Sequence, residues 1–153
     1  MSEHHLSFDS PVGPLTITER DSALIKLDWS REANSEVSPL LVETRRQLQA
    51  YFAGKITSFD LPVAPVGTQH QQKVWRAMQN IPYGGHQSYG AMSATIGSSA
   101  RAVGTACGRN PIAIIIPCHR VLAAGGKIGG YSGGSGTATK RYLLSLEGVE
   151  LNE

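Results

Sequence analysis

The chain has 153 residues, enough for one ordinary domain or two small lobes, and a net charge of +2 that does not by itself indicate a nucleic-acid binder. Its two cysteines match neither a secreted disulfide framework nor a CxxC redox pair, which excludes a disulfide scaffold. No apolar run is long enough to cross a bilayer and no lipidation motif is present, so we expect a cytoplasmic protein with free thiols and no membrane association.

The first 61 residues are typical of a small α/β lobe. Three short segments separated by turn sequences predict an antiparallel β ribbon: His5–Asp9, Leu15–Glu19 and Ala23–Trp29. Ser38-Pro39 is a typical helix start and Gly54 a typical stop, so one amphipathic helix is expected between them. A further strand is expected at Thr57–Leu61, which would complete this lobe.

A proline-rich stretch over residues 62–68 predicts an extended connector, and the charge balance changes beyond it. Residues 1–68 carry nine acids and six bases, whereas residues 69–153 carry three acids and eight bases. No Asp or Glu occurs from residue 61 to residue 146. We expect the second domain, 69–153, to present a positive surface suited to a polyanion. A solvated basic face without a ligand is the alternative.

The second domain begins with a helix, because Thr68 and Gln71 have the spacing of a capping box. Two short helices separated by Gly97-Ser98 then predict a helix-turn-helix: Ser88–Ile96 and Ser99–Cys107. Thr137 is expected to cap a final helix that ends at Glu147-Gly148.

Cys118 is the strongest candidate for chemistry. It follows an apolar, β-branched run, Ile112–Ile116, which predicts a buried strand that positions it. Most free cysteines are inert small hydrophobes, but His119 and Arg120 beside this one favour the nucleophilic thiolate. A basic histidine normally needs an orienting acceptor, and Glu147 is the first carboxylate after the acid-free stretch. A solvated charge at a helix end is the alternative for Glu147.

Several other chemistries are excluded by the residue pattern. The acid-free stretch supplies no carboxylate, and the cysteines and histidines lack the spacing of zinc ligands, so no metal is expected. No phosphate loop or dinucleotide-binding fingerprint occurs. Arg101 lies near the start of the second short helix beside Ala102 and Gly104, whose small side chains would let that helix approach DNA closely. An ordinary surface arginine is the alternative.

These motifs together resemble the O6-alkylguanine-DNA alkyltransferase family. The segments that carry the resemblance, in the family's order, are Val74-Trp75, Ile81–Gly84, Ser88–Gly90, Arg101–Pro111, Ile115–Val121, Gly130–Gly134 and Leu146–Gly148. The resemblance implies a ribonuclease-H-like α/β lobe followed by a helical lobe with a winged-helix-like helix-turn-helix. It also implies irreversible, single-turnover transfer of a methyl or larger alkyl group from O6-alkylguanine in double-stranded DNA to Cys118. The damaged base would be flipped out of the helix, and no cofactor would be needed.

The resemblance also assigns the reacting groups. Cys118 would accept the alkyl group, His119 and a water would remove its proton, and Glu147 would hold His119. Asn110 would brace the turn beside the cysteine, and Tyr89 would donate a proton toward the guanine ring.

Further residues would bind the substrate and the DNA. The substrate-binding positions implied by the resemblance are Val121, Tyr131, Ser132 and Arg101, the last of which would fill the space left by the flipped base. The implied DNA-binding positions are Arg101, Ala102, Gly104, Arg109 and Arg120. We expect a monomer, and repair of O4-alkylthymine is left open.

The chain departs from the family pattern at two places in the second domain. The turn Gly97–Ala100 is shorter than the family usually has and lacks a proline, and His70 stands where the family often has an aromatic residue. The zinc ligands found near the start of some members are also absent. Two other functions compete: a lesion-binding module without catalysis, against which Cys118 argues, and a cysteine–histidine hydrolase or thiol oxidoreductase, which the isolated thiol on a basic lobe fits poorly.

Overall fold

A computed structural model describes residues Glu3–Leu151 and divides the chain between Val66 and Gly67. We call the part before this division the N-terminal unit and the part after it the C-terminal unit. Within Glu3–Leu151 no helix combines the length and apolar character needed to span a bilayer.

The N-terminal unit is built on a three-stranded antiparallel sheet in the order β1-β2-β3. This agrees with the antiparallel ribbon of three strands predicted from the sequence. The strands are β1 (Glu3–Ser10), β2 (Gly13–Arg20) and β3 (Ala23–Asp28). Leu6 pairs with Ile17, and Ile17 with Leu27, so these buried side chains share one face of the sheet.

Helix α1 (Pro39–Phe52) covers that apolar face. It begins where the sequence predicts, because the Ser38 hydroxyl accepts a hydrogen bond from the Leu41 N–H at 3.1 Å. Its buried side chains recur at helical spacing and include Leu41, Leu48 and Tyr51. The helix and the sheet therefore enclose the hydrophobic core of this unit.

The strand predicted at Thr57–Leu61 is not formed. The side-chain amide of Gln47 accepts from the Asp60 N–H at 2.9 Å and donates to the Asp60 carbonyl at 3.2 Å, so it occupies the groups that a strand partner would need. The edge of β3 pairs instead with the next residues, since the Leu24 N–H donates to the Pro62 carbonyl and the Ala64 N–H to the Leu24 carbonyl.

The C-terminal unit is mainly helical. Its elements are α2 (Gln69–Gln79), β4 (Gln87–Ser88), α3 (Tyr89–Ile96), α4 (Ala100–Gly108), β5 (Val121–Leu122) and α5 (Thr137–Leu146). The predicted capping box of Thr68 and Gln71 is present at the start of α2. The two predicted short helices, α3 and α4, are joined by a tight turn in which Gly97 has a left-handed conformation with φ of 70°. The short strands β4 and β5 pair in parallel.

Two local predictions for this unit were wrong. The run Ile112–Ile116 is buried but forms a turn, in which Ile114 has a φ of +74°. The Asn110 side chain causes this, because it donates to the Ile116 carbonyl at 2.8 Å and accepts from the Ile112 N–H at 3.0 Å. The final helix begins at Thr137, but its N-cap is Gly136 and no side chain caps it.

Candidate active site

Cys118 begins a single turn of 3₁₀-helix, Cys118–Arg120, directly after Pro117. Its N–H donates to the Ile116 carbonyl at 2.8 Å, which fixes the cysteine to the turn held by Asn110. A 3₁₀-helix has three residues per turn, so the three side chains point in three different directions. All three are buried.

A buried charge cluster lies beside the cysteine. The Nε2 of His119 is 2.7 Å from Oε2 of Glu147, and Arg120 donates to both oxygens of the same carboxylate at 2.8 and 3.1 Å. Arg120 also donates to the Ile81 carbonyl at 2.6 Å. His119, Arg120 and Glu147 are 0%, 7% and 5% exposed. The structure thus brings Glu147 to His119, the pairing that the resemblance implied.

Arg120 does not lie where the sequence analysis expected it. As a DNA-binding residue it would have to reach a phosphate, but its guanidinium is buried and donates to Glu147 and to Ile81. A buried carboxylate needs a compensating charge, and Arg120 supplies it. The role of Arg120 is therefore to hold Glu147.

The charge cluster fixes the protonation state of His119. An ionised carboxylate only accepts hydrogen bonds, so Nε2 carries the proton that faces Glu147. Burial lowers the pKa of His119, against the opposing effect of Glu147, and the ring is therefore neutral near pH 7. Its Nδ1 is buried and makes no hydrogen bond with any residue of Glu3–Leu151. This nitrogen keeps a lone pair that can accept a proton.

The Cys118 thiol is protonated at rest. Burial raises its pKa, while hydrogen bonds from the side chains of Asn110 and Tyr131 and the charge of Lys140 lower it. Burial also raises the pKa of Cys107 to about 12, and the Cys107 sulfur lies 3.6 Å from that of Met78. Cys118 thus has neighbouring groups that stabilise its thiolate form. The next residue in the chain, His119, is a potential base.

Asn110 holds the turn that precedes the nucleophile, and we expect Asn110→Ala to destabilise the protein by about 1–3 kcal/mol. The reason is that the Ile112 N–H and the Ile116 carbonyl would lose their partner next to buried residues. Urea unfolding would measure the change. Asn110→Asp keeps the acceptor for Ile112 and should cost less; equal losses in the two variants would contradict this account.

Lys140 is a site residue that the sequence analysis missed. It lies on α5 with its side chain fully buried, and its Nζ donates to the carbonyls of Val121 at 2.7 Å and Gly130 at 3.1 Å. Burial lowers the pKa of Lys140 to about 8, while the neighbouring thiols raise it. Among the described residues it forms no ion pair with a carboxylate. The spacing of Lys140 with the buried Leu143 and Leu144 would have placed it on the inner face of α5.

Tyr89 begins α3 and stands above this lysine, with the Lys140 nitrogen 5.8 Å from its ring centroid. The ring lies between α4 and the glycine-rich loop, residues 125–136: a Cβ on Gly104 would be 4.0 Å from it and one on Gly129 only 3.3 Å. Burial is the main cause that raises the pKa of Tyr89 to about 12. Its hydroxyl therefore keeps its proton at neutral pH and can act as a donor.

The remaining expected substrate positions lie around the same loop. Val121 is buried, and its carbonyl already accepts from Lys140. Tyr131 is half-buried, and its side chain lowers the pKa of the Cys118 thiol. Ser132 is exposed and donates to the Gly108 carbonyl at 3.2 Å, which ties the loop to the end of α4.

The expected DNA-binding residues on α4 are accessible. Arg101 is exposed at the second position of the helix and Arg109 is exposed at its C-cap, while Ala102 and Gly104 are half-buried. Neither arginine is ion-paired with a carboxylate in the described part of the chain. A helix with one unpaired cation at each end and small side chains between them suits contact with a polyanion.

Two family models match the chain. The model for the DNA-binding domain of 6-O-methylguanine DNA methyltransferase matches residues 69–149, and the model for its ribonuclease-like domain matches residues 4–65. Together they extend over nearly the whole sequence.

The chain is also similar to known proteins over nearly their whole length. A methylated-DNA–protein-cysteine methyltransferase from Methanosarcina acetivorans is 43% identical over 95% of this chain and 98% of its own. One from Mycobacterium bovis is 46% identical over 94% of this chain and 92% of its own. The crystal structure of Mycobacterium tuberculosis OGT in complex with DNA matches with a TM-score of 0.83 and 46% identity, covering 94% of this chain and 91% of that one.

Proposed function

The chain belongs to the 6-O-methylguanine DNA methyltransferase family, and on this basis we propose that it repairs DNA by moving an alkyl group from O6 of guanine to its own Cys118. The observation that supports the assignment of Cys118 is the buried hydrogen-bonded series from Glu147 to a neutral His119 next to this thiol. This is the activity that its relatives' name, methylated-DNA–protein-cysteine methyltransferase, describes.

The reaction begins with removal of the thiol proton. Nδ1 of His119 accepts it, through a bridging water, while the Nε2 proton stays on the carboxylate side of the ring, facing Glu147. The imidazolium that forms is stabilised by Glu147, which Arg120 holds in place. A base is needed because burial alone keeps Cys118 protonated.

The positive charge around the sulfur favours the thiolate. The buried site contains two cations, Arg120 and Lys140, but one carboxylate, Glu147, so it has a net positive charge while Cys118 and His119 are neutral. Deprotonating Cys118 onto His119 leaves that net charge unchanged, and the anion forms close to Lys140. An opposite charge in a poorly solvated site stabilises the thiolate.

The thiolate then displaces guanine from the alkyl carbon. The bond between Sγ of Cys118 and the carbon forms as the bond from that carbon to O6 breaks, and the electron pair stays with the guanine. The Tyr89 hydroxyl, which retains its proton at neutral pH, donates toward the guanine ring and makes it a better leaving group. The product is a stable thioether, so each molecule reacts once and requires no cofactor.

The DNA would be held by the C-terminal unit. Helices α3 and α4 serve as a winged-helix-like helix-turn-helix, with α4 in a groove and Arg101 in the space left by the flipped base. The N-terminal unit serves as the ribonuclease-H-like lobe, which its sheet and single helix suit. The organisation we propose is a lobe at 1–61, a connector at 62–68 and a DNA-binding catalytic domain at 69–153, acting as a monomer.

Intact-protein mass spectrometry after incubation with duplex DNA containing O6-methylguanine tests this function directly. We expect a gain of one methyl group in place of one hydrogen, with no second addition at longer times. Unchanged protein mass despite retained binding to the lesion duplex would refute the transferase and favour a lesion-binding module. Repeated turnover on an ester or a disulfide would favour the hydrolase or oxidoreductase alternatives.

Lys140→Met is expected to slow alkylation of Cys118 by about tenfold at pH 7, because the thiolate loses the positive charge that lowers the pKa of Cys118. Lys140 loses its own charge as the pH rises through about 8, so the difference between the two proteins should narrow above that pH. The rate of reaction with iodoacetamide from pH 6 to pH 10 would measure this. Lys127→Met, at an exposed lysine, is the control; a constant ratio across the range would contradict the electrostatic role.

A further inference from the structure

A side-chain pair links the turn before helix α4 to the start of helix α2. His70 lies in the first turn of α2, and its Nε2 is 2.8 Å from the hydroxyl of Ser98 in the turn between α3 and α4. Both residues are half-buried and are separated by 28 positions in the sequence. The contact therefore joins the first turn of α2 to the turn before α4, two segments that are far apart in the sequence.

The turn at Ser98 leaves little freedom for the helix that follows. Gly97 and Ser98 both donate through their N–H groups to the Ser93 carbonyl, and Ser99 caps α4 by accepting from the Ala102 N–H at 3.1 Å. Any displacement of Ser98 is thus transmitted to the first residues of α4. Arg101 is the second of those residues.

The two ends of α4 are held in different ways. Near its C-terminal end the Trp75 indole donates to the Ala106 carbonyl at 2.9 Å, and the sulfur of Cys107 contacts Met78. An open cavity of about 420 Å³ runs along α4 from Ser99 to Ala106, and the start of α2, including His70, lines its other side. Val103 is the one fully buried side chain in the first half of α4, so the bond from His70 to Ser98 adds a polar point of attachment next to the cavity.

We propose that His70 is a positioning residue for DNA engagement: through Ser98 it sets the direction of α4 and hence the place where Arg101 meets the DNA. The inference rests on the proposed function, but it concerns DNA binding and not the transfer step. The packing of Val103 and the turn at Ser98 already limit the movement of α4, and the bond to His70 narrows further the directions that its first residues can take. Because the first residues of α4 are then already ordered in the free protein, DNA binding does not include the entropy cost of ordering them.

The test compares two substrates that differ in their need for α4. Duplex DNA containing O6-methylguanine requires both α4 and the Cys118 site, whereas the free base O6-methylguanine requires only the latter. We expect His70→Ala and Ser98→Ala each to weaken binding of the lesion duplex by about fivefold, the loss typical of one hydrogen bond. The rate of Cys118 methylation by the free base should stay unchanged in both variants.

A double variant and a conservative variant separate positioning from direct contact. If His70 acts through Ser98, the double variant should bind no more weakly than either single variant. The substitution His70→Gln presents a side-chain nitrogen at similar reach and should restore binding to within about twofold of the unaltered protein. His86→Ala, at an exposed histidine of the same unit, is the matched control and should bind normally.

Any of three outcomes would overturn the inference. They are binding of the lesion duplex by His70→Ala as tight as by the unaltered protein, multiplication of the two single losses in the double variant, and a free-base rate that falls in parallel with binding. The last outcome would assign His70 a general role in stability, which the thermal unfolding midpoint would also reveal. Failure of the proposed function is recognised separately, because the unaltered protein would then take up no methyl group from either substrate.

Discussion

Replacing Cys118 with alanine is expected to abolish alkyl uptake completely while the protein still binds duplex DNA containing O6-methylguanine. The sulfur is the atom that forms the new bond, and the other thiol near the site, Cys107, packs against Met78 and has its pKa raised to about 12 by burial. The DNA-binding residues Arg101 and Arg109 lie on α4, outside the turn that holds the cysteine. Intact-protein mass and a binding titration with the same duplex would measure the two properties together.

The matched control for this prediction is Cys107→Ala. Cys107 is also a free, buried thiol, but burial raises its pKa to about 12 and its sulfur packs against Met78. We expect this variant to take up one methyl group like the unaltered protein, with a loss of about 1 kcal/mol in stability from the small cavity. Methylation that persists in Cys118→Ala and disappears in Cys107→Ala would show that the acceptor has been misassigned.

Glu147→Ala is expected to have the largest effect on stability, about 3–5 kcal/mol, because it leaves the buried guanidinium of Arg120 without its partner. It would also slow alkyl transfer by at least about a hundredfold, since His119 loses the acceptor that orients it and stabilises its protonated form. Chemical denaturation would measure the first effect and single-turnover kinetics the second.

Glu147→Gln separates these two effects. Glutamine keeps nearly the same volume and can still accept from Arg120, so the protein should fold and lose less stability than the alanine variant. Transfer should remain slow, because an amide does not compensate the charge of an imidazolium. Glu150→Gln, at an exposed carboxylate close by in the sequence, should alter neither property. Normal kinetics in Glu147→Gln would exclude Glu147 from the proton-transfer pathway.

The buried cluster also explains why the cysteine is fixed so firmly. Tyr83 donates to the Leu146 carbonyl at 3.0 Å and Arg120 to the Ile81 carbonyl, so the segment after α2 braces both the end of α5 and the turn at the cysteine. A nucleophile held by several elements needs little reorganisation when the alkyl carbon arrives in line. We therefore regard Arg120 as part of the support for catalysis.

The sequence by itself determined the features that depend on neighbours along the chain. Helix starts at Ser38 and at Thr68 were correctly predicted, because a cap is made between residues three positions apart. The same holds for the three strands of the N-terminal unit and for α3 and α4, whose boundaries are marked by turn residues. The Cys118-His119 pair could also be singled out from sequence alone.

Only the tertiary structure decided which distant residues meet and which are removed from water. Glu147 lies 28 positions from His119, and its approach depends on how α5 packs; the burial of Arg120 and Lys140 has the same origin. The two wrong strand predictions have a related cause, since the side chains of Gln47 and Asn110 take backbone hydrogen bonds that propensity assigns to a sheet. Local preferences are weak beside such contacts, which form only when the folded chain brings them together.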